Sequence, residues 1–435
     1  MDDANLTFES YDKLELKPFA ERLEKYIKVE HLFFDESLVI SLNASFGSGK
    51  TTFLKMWKKR IDKEESCFGN KPTVVKINAW KDDYCGDPFI SLVSSLIEEF
   101  GVNSKEGNKL KKVIKKISLG MANQAIKKHT GMDISEVLKY PEELALPSPF
   151  QVYEQKKNAL EEIKEIIKEF ISEDKLSIIF FIDELDRCRP DYAISYLETI
   201  KHVFDIKGIA FILAVDRNQL ECTAKVAFGN DMDFPEYYRK FVQREILLPK
   251  PTADANKKLS RELTKYYLQQ NHIRNCWRII EHGMRITELI NSLELTPRQT
   301  HEALRVLSHY LGTDEGDKSL EEYPAAGIIL MSIVRTKKPD IYEKLGKEGI
   351  EPTDAKILFN NMIQDSKEWW FKMCLSENCI KINGKSFKDI FVEAGVPDVW
   401  EAGDSYLQEE QRLTNHQNQF KRYYSDIEDL LNFEN

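Results

Sequence analysis

The residues Ala44-Ser45-Phe46-Gly47-Ser48-Gly49-Lys50-Thr51 carry a pattern suited to wrapping a polyphosphate. Gly47 and Gly49 let the backbone turn its N–H groups inward. A helix starting directly afterwards adds the partial positive charge of its N-terminus. In that arrangement Ser45, Phe46, Gly47, Ser48, Gly49, Lys50, Thr51 and Thr52 surround the phosphates. Lys50 reaches the β- and γ-phosphates, and Thr51 offers its hydroxyl to Mg²⁺. Ala44 stands where the usual pattern opens with Gly, and a plain Gly-Ser turn between strand and helix has a similar composition.

A second motif, Phe180-Phe181-Ile182-Asp183-Glu184, puts two acids directly after an apolar strand. In a parallel sheet the carboxyl ends of strands form the ligand crevice. Asp183 there holds Mg²⁺, directly or through water, and Glu184 polarises the water that attacks the γ-phosphate. An acid pair capping the next helix is the plainer alternative. A third motif, Val215-Asp216-Arg217, ends another apolar run. Asp216 has two readings, a residue beside the γ-phosphate that senses it or orients water, and the cap of the helix beginning near Asn218.

These motifs need a sheet to hold them. Short apolar runs at 38–42, 73–77, 177–183 and 209–215 alternate with helical stretches at 51–61, 88–100, 150–171 and 191–204. A further helical pattern covers 11–29. Strands alternating with helices imply a parallel sheet covered on both faces, an α/β fold. Beyond Pro251 the strand signals fade and the chain reads as helical.

Composition bounds the rest. The chain has 435 residues, 42% hydrophobic, which is enough for a sizeable core and excludes wholesale disorder. A net charge of −10 argues against coating nucleic acid non-specifically. Seven cysteines at no regular spacing read as free thiols, and the histidines show no metal-ligand spacing. With neither a signal-like start nor an apolar run near the ~18 residues a membrane span needs, the expectation is a cytoplasmic protein with no membrane span.

In combination these motifs resemble those of the KAP family of P-loop NTPases. That family belongs to the STAND group, among ATPases that use a catalytic glutamate on an extra strand. Ile182-Asp-Glu-Leu-Asp186-Arg187-Cys188-Arg-Pro190 resembles its Walker B signature. Phe46-Gly-Ser-Gly-Lys-Thr51 resembles its phosphate loop, with Phe46 where Trp is commoner. Asn78-Ala-Trp80, Tyr238-Arg-Lys240-Phe-Val-Gln243 with Leu248-Pro249, and Thr296-Pro-Arg298 resemble its later segments. The resemblance covers roughly residues 8–310. It implies a three-layer P-loop NTPase core, a helical lid and a helical C-terminal domain, with ATP and Mg²⁺ as cofactors.

The expected boundaries are 1–250 for the core, with a lysine-rich helical insertion at about 101–150, then 251–320 for the lid and 321–435 for the C-terminal domain. Many family members carry transmembrane helices in the interval that the insertion fills. Soluble bacterial relatives resemble NTPase components of anti-phage defence that work with a separate effector.

Arg298 in cis, or Arg239 or Arg244 from a neighbouring copy, is a candidate for neutralising transition-state charge, as is Arg187. An ordinary surface ion pair is the alternative for each. A homo-oligomer is therefore expected. Between Lys105 and Lys128 there are eight lysines and one acid, a candidate contact for nucleic acid or an anionic membrane face, or simply a solvated helical hairpin. Trp80 reads as a core anchor, as does the Trp369-Trp370 pair. No nuclease-like or hydrolytic cluster follows residue 310, so the effector is expected on another chain.

Overall fold

A computed structural model of the chain describes residues 6–63, 65–68, 71–101, 104–113, 149–171, 175–269, 283–312, 322–382, 384, 387–396 and 418–431. They divide into two compact units, Met1–Asp12 with Leu16–Lys250, and Lys13–Glu15 with Pro251–Asn435.

The first unit is built on a five-stranded, wholly parallel sheet: β1 (Leu38–Asn43), β2 (Thr73–Asn78), β3 (Ile178–Asp183), β4 (Ile209–Val215) and β5 (Arg244–Leu247). The spatial order is β2-β3-β4-β1-β5, so β4 stands between β1 and β3. β3 and β4 are buried along their whole length, as expected of strands with helices on both faces.

The connecting helices are α1 (Lys17–Glu30), α2 (Lys50–Asp62), α3 (Pro88–Phe100), α4 (Pro149–Phe170), α5 (Pro190–Val203), α6 (Arg217–Phe228) and α7 (Phe234–Arg239). Several starts follow from local chemistry. Asp87 accepts the N–H of Phe89, and Pro88 opens α3, where its missing donor costs nothing. The helical pattern at 11–29 is interrupted in the structure. A single turn at Phe8–Tyr11 stops, and the Asp12 carboxylate takes the N–H groups of Leu16 and Lys17 at 2.8 and 2.7 Å to start α1 afresh. β5 had no counterpart in the sequence reading.

Aromatic packing fixes α2 on the sheet. The Trp57 ring stacks on Phe181 with centroids 4.7 Å apart. Trp57 Nε1 and Arg60 Nε each donate to Glu24 Oε1 at 3.0 Å, and the Cys67 N–H donates to Glu24 Oε2 at 2.8 Å. Glu24 is wholly buried, so α1 is tied to α2 through one desolvated carboxylate whose partners satisfy it. Of the lysine-rich stretch, Leu110 and Val113 are buried and Lys109 pairs with Glu169 at 2.5 Å. The remainder of that stretch, 114–148, lies outside the described residues.

The second unit contains α8 (Ala253–Leu268), α9 (Gly283–Ser292), α10 (Pro297–Leu311), α11 (Glu322–Lys337), α12 (Pro339–Lys347), α13 (Pro352–Phe359), α14 (Gln364–Ser376), α15 (Phe387–Ala394) and α16 (Phe420–Leu431). Its core is continuous. Leu289 and Leu307 share it with Ile329, Trp370 and Phe420. α11 is buried from Ala325 to Val334, the mark of a central helix. α16 is held by Glu428, which accepts from Arg335 Nε at 3.2 Å and from the Tyr342 hydroxyl at 3.0 Å. Trp370 is fully buried, as the core reading of the tryptophan pair requires. Among the described residues no helix is long and apolar enough to cross a membrane.

Candidate active site

The chemistry-bearing motifs converge at the carboxyl edge of the sheet. β1 delivers the loop 44–49, and α2 begins at Lys50. Gly47 and Gly49 adopt φ of 77° and 100°, left-handed values that a side chain would resist. The loop is anchored by the Ala44 N–H donating to the Val215 carbonyl at 3.1 Å. Lys50 Nζ donates to the Ala44 and Ser45 carbonyls at 2.6 and 3.3 Å. Burial lowers the proton affinity of Lys50, and the charges of Asp186, Asp216 and Asp183 oppose that shift. The three acids thus favour the charged form that burial disfavours.

β3 delivers Asp183, which is 1% exposed. Neither of its carboxylate oxygens meets a donor in hydrogen-bonding geometry, though the Thr51 hydroxyl approaches. Burial raises the proton affinity of Asp183, helped by the neighbouring Glu184 charge and opposed by Thr51 and Lys50. A buried carboxylate without a partner is costly unless something else satisfies it. A divalent cation between Asp183 and Thr51 would do so, and Mg²⁺ characteristically takes only one or two protein oxygens and keeps its waters. These residues fit that cation. Among the described residues there is no group of three or more acidic, histidine or cysteine side chains poised for a metal.

Glu184 follows with φ 61°, an uncommon value outside glycine. Both of its oxygens are engaged. Asn78 Nδ2, at the end of β2, donates to Oε2 at 2.8 Å, and Arg187 Nη2 pairs with Oε1 at 3.1 Å. Asp186 accepts the Asp216 N–H at 3.1 Å, and burial raises its proton affinity against the pull of Lys50. Asp216 itself accepts the N–H of Asn218 and caps α6, so its capping role is realised in the same residue that lies near Lys50.

Beyond the backbone ladder, side chains bridge this edge from one end of the sheet to the other. Asn78 reaches Glu184, and Asp186 reaches Asp216. Asn43 Oδ1 accepts the Arg217 N–H at 3.1 Å, and Arg217 Nε pairs with Glu245 on β5 at 3.1 Å. The sequence reading singled out Asp183, Glu184 and Asp216 but gave no role to Asn78 as a partner of the glutamate. Its signal was a polar residue closing an apolar strand at the ligand edge.

The arginines are dispersed. Arg239 is 73% exposed and pairs with Glu236 at 3.3 Å. Arg244 is tied to Glu30 at 2.6 Å and to the Tyr26 hydroxyl. Arg298 lies in the second unit, in the first turn of α10. Trp80 corrects its core reading. It is 52% exposed, two residues past Asn78, and it packs beside the Arg187 guanidinium rather than under a helix.

Strand order, phosphate loop and paired acids define a P-loop NTPase fold with the extra strand β4 between the loop strand and the acid strand. The chain belongs to the KAP family: the KAP family P-loop domain matches residues 16–312. It is similar to the phage T7 exclusion protein of Escherichia coli (strain K12), 21% identical over 397 residues. That match covers 86% of this chain and 51% of the relative, so the chain spans about half the length of the curated relative it matches. A looser likeness joins it to the solved Aeropyrum pernix ORC2 protein (ADPNP-ADP complexes), at 12% identity and a TM-score of 0.36, covering 96% of this chain and 93% of that one.

Proposed function

We propose that this chain binds ATP with Mg²⁺ and hydrolyses it to ADP and phosphate, using the turnover to switch or assemble a larger complex. The observation that carries the reading is the buried, unpartnered Asp183 followed at once by Glu184, beside the Lys50 loop. Backbone N–H groups of Ser45, Phe46, Gly47, Ser48, Gly49, Lys50, Thr51 and Thr52 hold the phosphates, and Lys50 exchanges its carbonyl partners for phosphate oxygens. Thr51 and Asp183 would hold Mg²⁺, which supplies charge neutralisation for the transferring phosphoryl group. Water attacks the γ-phosphorus, the bond to the β–γ bridging oxygen breaks, and Glu184 takes the water proton. Asp216 orients that water or senses the γ-phosphate, with Arg298 or Arg239 supplying positive charge.

In this reading 251–320 acts as the lid and 321–435 as the C-terminal domain of a cytoplasmic homo-oligomer. The name of the phage exclusion relative supports a role in anti-phage defence, with a separate effector protein. One observation favours a second reading, a nucleotide-gated scaffold with little turnover: both oxygens of Glu184 are already engaged.

Calorimetry and phosphate release on three proteins test the proposal. Lys50→Ala should weaken ATP binding at least tenfold, since a charge-assisted contact contributes roughly 1.5–3 kcal/mol. Glu184→Gln should keep the affinity and lose roughly 10²–10⁴ in turnover. Unchanged affinity in the first, or unchanged turnover in the second, sinks the assignment.

A further inference from the structure

The partner that Glu184 keeps is held from an unusual direction. The Arg187 guanidinium carbon lies 4.2 Å from the centre of the Phe46 ring and 5.6 Å from that of Trp80. Phe46 belongs to the phosphate loop, and Trp80 follows the Asn78 that binds the other oxygen of Glu184. Both rings are half-exposed, at 43% and 52%. They contribute little to the core and present their faces to a cation, where a guanidinium is attracted by the ring quadrupole. Loop, arginine, glutamate and asparagine thus form one connected set around the base.

We propose that Arg187 is a latch on Glu184, set on a shelf made by Phe46 and Trp80, and that it restrains hydrolysis until the shelf shifts. This inference rests on Glu184 being the base. The ion pair to Arg187 and the bond from Asn78 each take one acceptor site and together fix the orientation of the carboxylate, so turning a free lone pair toward an attacking water breaks one of them. The latch sits at the nucleotide because Phe46 is part of the loop that closes round the phosphates. An incoming polyphosphate reshapes the shelf. The side chains are 30% and 18% exposed, so the restraint is modest and reversible, as a switch requires.

The test uses the full chain, saturating Mg²⁺ and ATP, and steady-state phosphate release. Arg187→Ala should raise turnover roughly three- to tenfold, while ATP affinity by calorimetry stays within the error of wild type. Phe46→Ala should raise turnover in the wild-type background and add nothing in the Arg187→Ala background, because shelf and latch act on one path. A second readout is independent of turnover: the emission of Trp80, taken as wild type minus Trp80→Phe. ATP should shift it in the wild type, and Arg187→Ala should shift it in the same direction without nucleotide. Arg187→Gln, which keeps the bulk and loses the charge, serves if the alanine variant does not fold. An Arg187 variant that binds ATP normally yet turns over at or below the wild-type rate overturns the latch. A wild type no faster than Glu184→Gln, with Arg187→Ala equally silent, overturns the hydrolysis reading itself.

Discussion

The Asp186 carboxylate accepts the backbone N–H of Asp216 at 3.1 Å, so the loops that leave β3 and β4 are joined at the point where γ-phosphate chemistry would take place. That contact gives Asp186 a positioning role. Asp186→Ala should lower turnover by roughly 10²-fold, the scale of an ångström-sized misplacement. ATP affinity should change far less. A variant with normal turnover would show that Asp216 needs no such tether.

Asp183 supplies a prediction in which stability and function move oppositely. Its oxygens are buried without partners, and burial disfavours the charged form. Asp183→Asn removes that buried charge, so the nucleotide-free variant should melt above wild type, by roughly 2–4 °C. With Mg²⁺ and ATP the ranking should invert, because only the wild type gains from the ligand. Thermal melts of both proteins in both conditions decide it, and an equal gain from ligand would count against Asp183 as the cation's partner.

Glu24 lies outside the site and tests the scaffold. It answers to Trp57, Arg60 and the Cys67 N–H at once. Glu24→Ala takes the acceptor from the Trp57 and Cys67 N–H groups and leaves the Arg60 guanidinium with Glu21 at 3.5 Å, and it should cost about 3–5 kcal/mol in urea denaturation. The α2 helix that carries Lys50 should loosen with it. A loss under about 1 kcal/mol, the scale of an exposed pair, would mean that α1 is not a structural brace.

Assembly is the remaining expectation to be tested. Arg239 is exposed and pairs with nearby Glu236, whereas Arg244 is bound to Glu30 and Tyr26. Of the two, Arg239 is the better placed to reach another copy. Arg239→Ala should lower turnover without lowering ATP affinity, and added Glu184→Gln subunits should restore part of it. Mass photometry should show self-association strengthened by Mg²⁺ and ATP, by about 1–3 kcal/mol. A monomer with turnover independent of concentration would transfer the role to Arg298.

The sequence carried the central strands well, because β3 and β4 are unbroken apolar runs that only a doubly covered strand explains. The phosphate loop and the acid pair were legible for the same reason, since each sits at a strand end. β5 was not legible. Its four residues, Arg244 to Leu247, are mostly exposed and half charged, and it is a strand only because β1 offers it an edge. Trp80 misled for a similar reason: an aromatic residue after a buried strand looks like core until the arginine it faces is placed. The Asn78–Glu184 bond joins residues 106 apart, and no local pattern announces it.

The strand order sets a timetable for synthesis. β1 pairs with β4 in the register Leu38↔Ala210 and with β5 from Ile40↔Arg244, and it touches neither β2 nor β3 in the ladder. The ribosome therefore completes the phosphate loop long before either neighbour of its strand exists. At cellular elongation rates the wait is roughly ten to thirty seconds. Throughout that interval Leu38–Asn43 is an apolar strand with two open edges, and the loop it carries lacks the Val215 carbonyl that anchors Ala44. Nascent chains released before β4 should be bound by chaperones rather than by nucleotide.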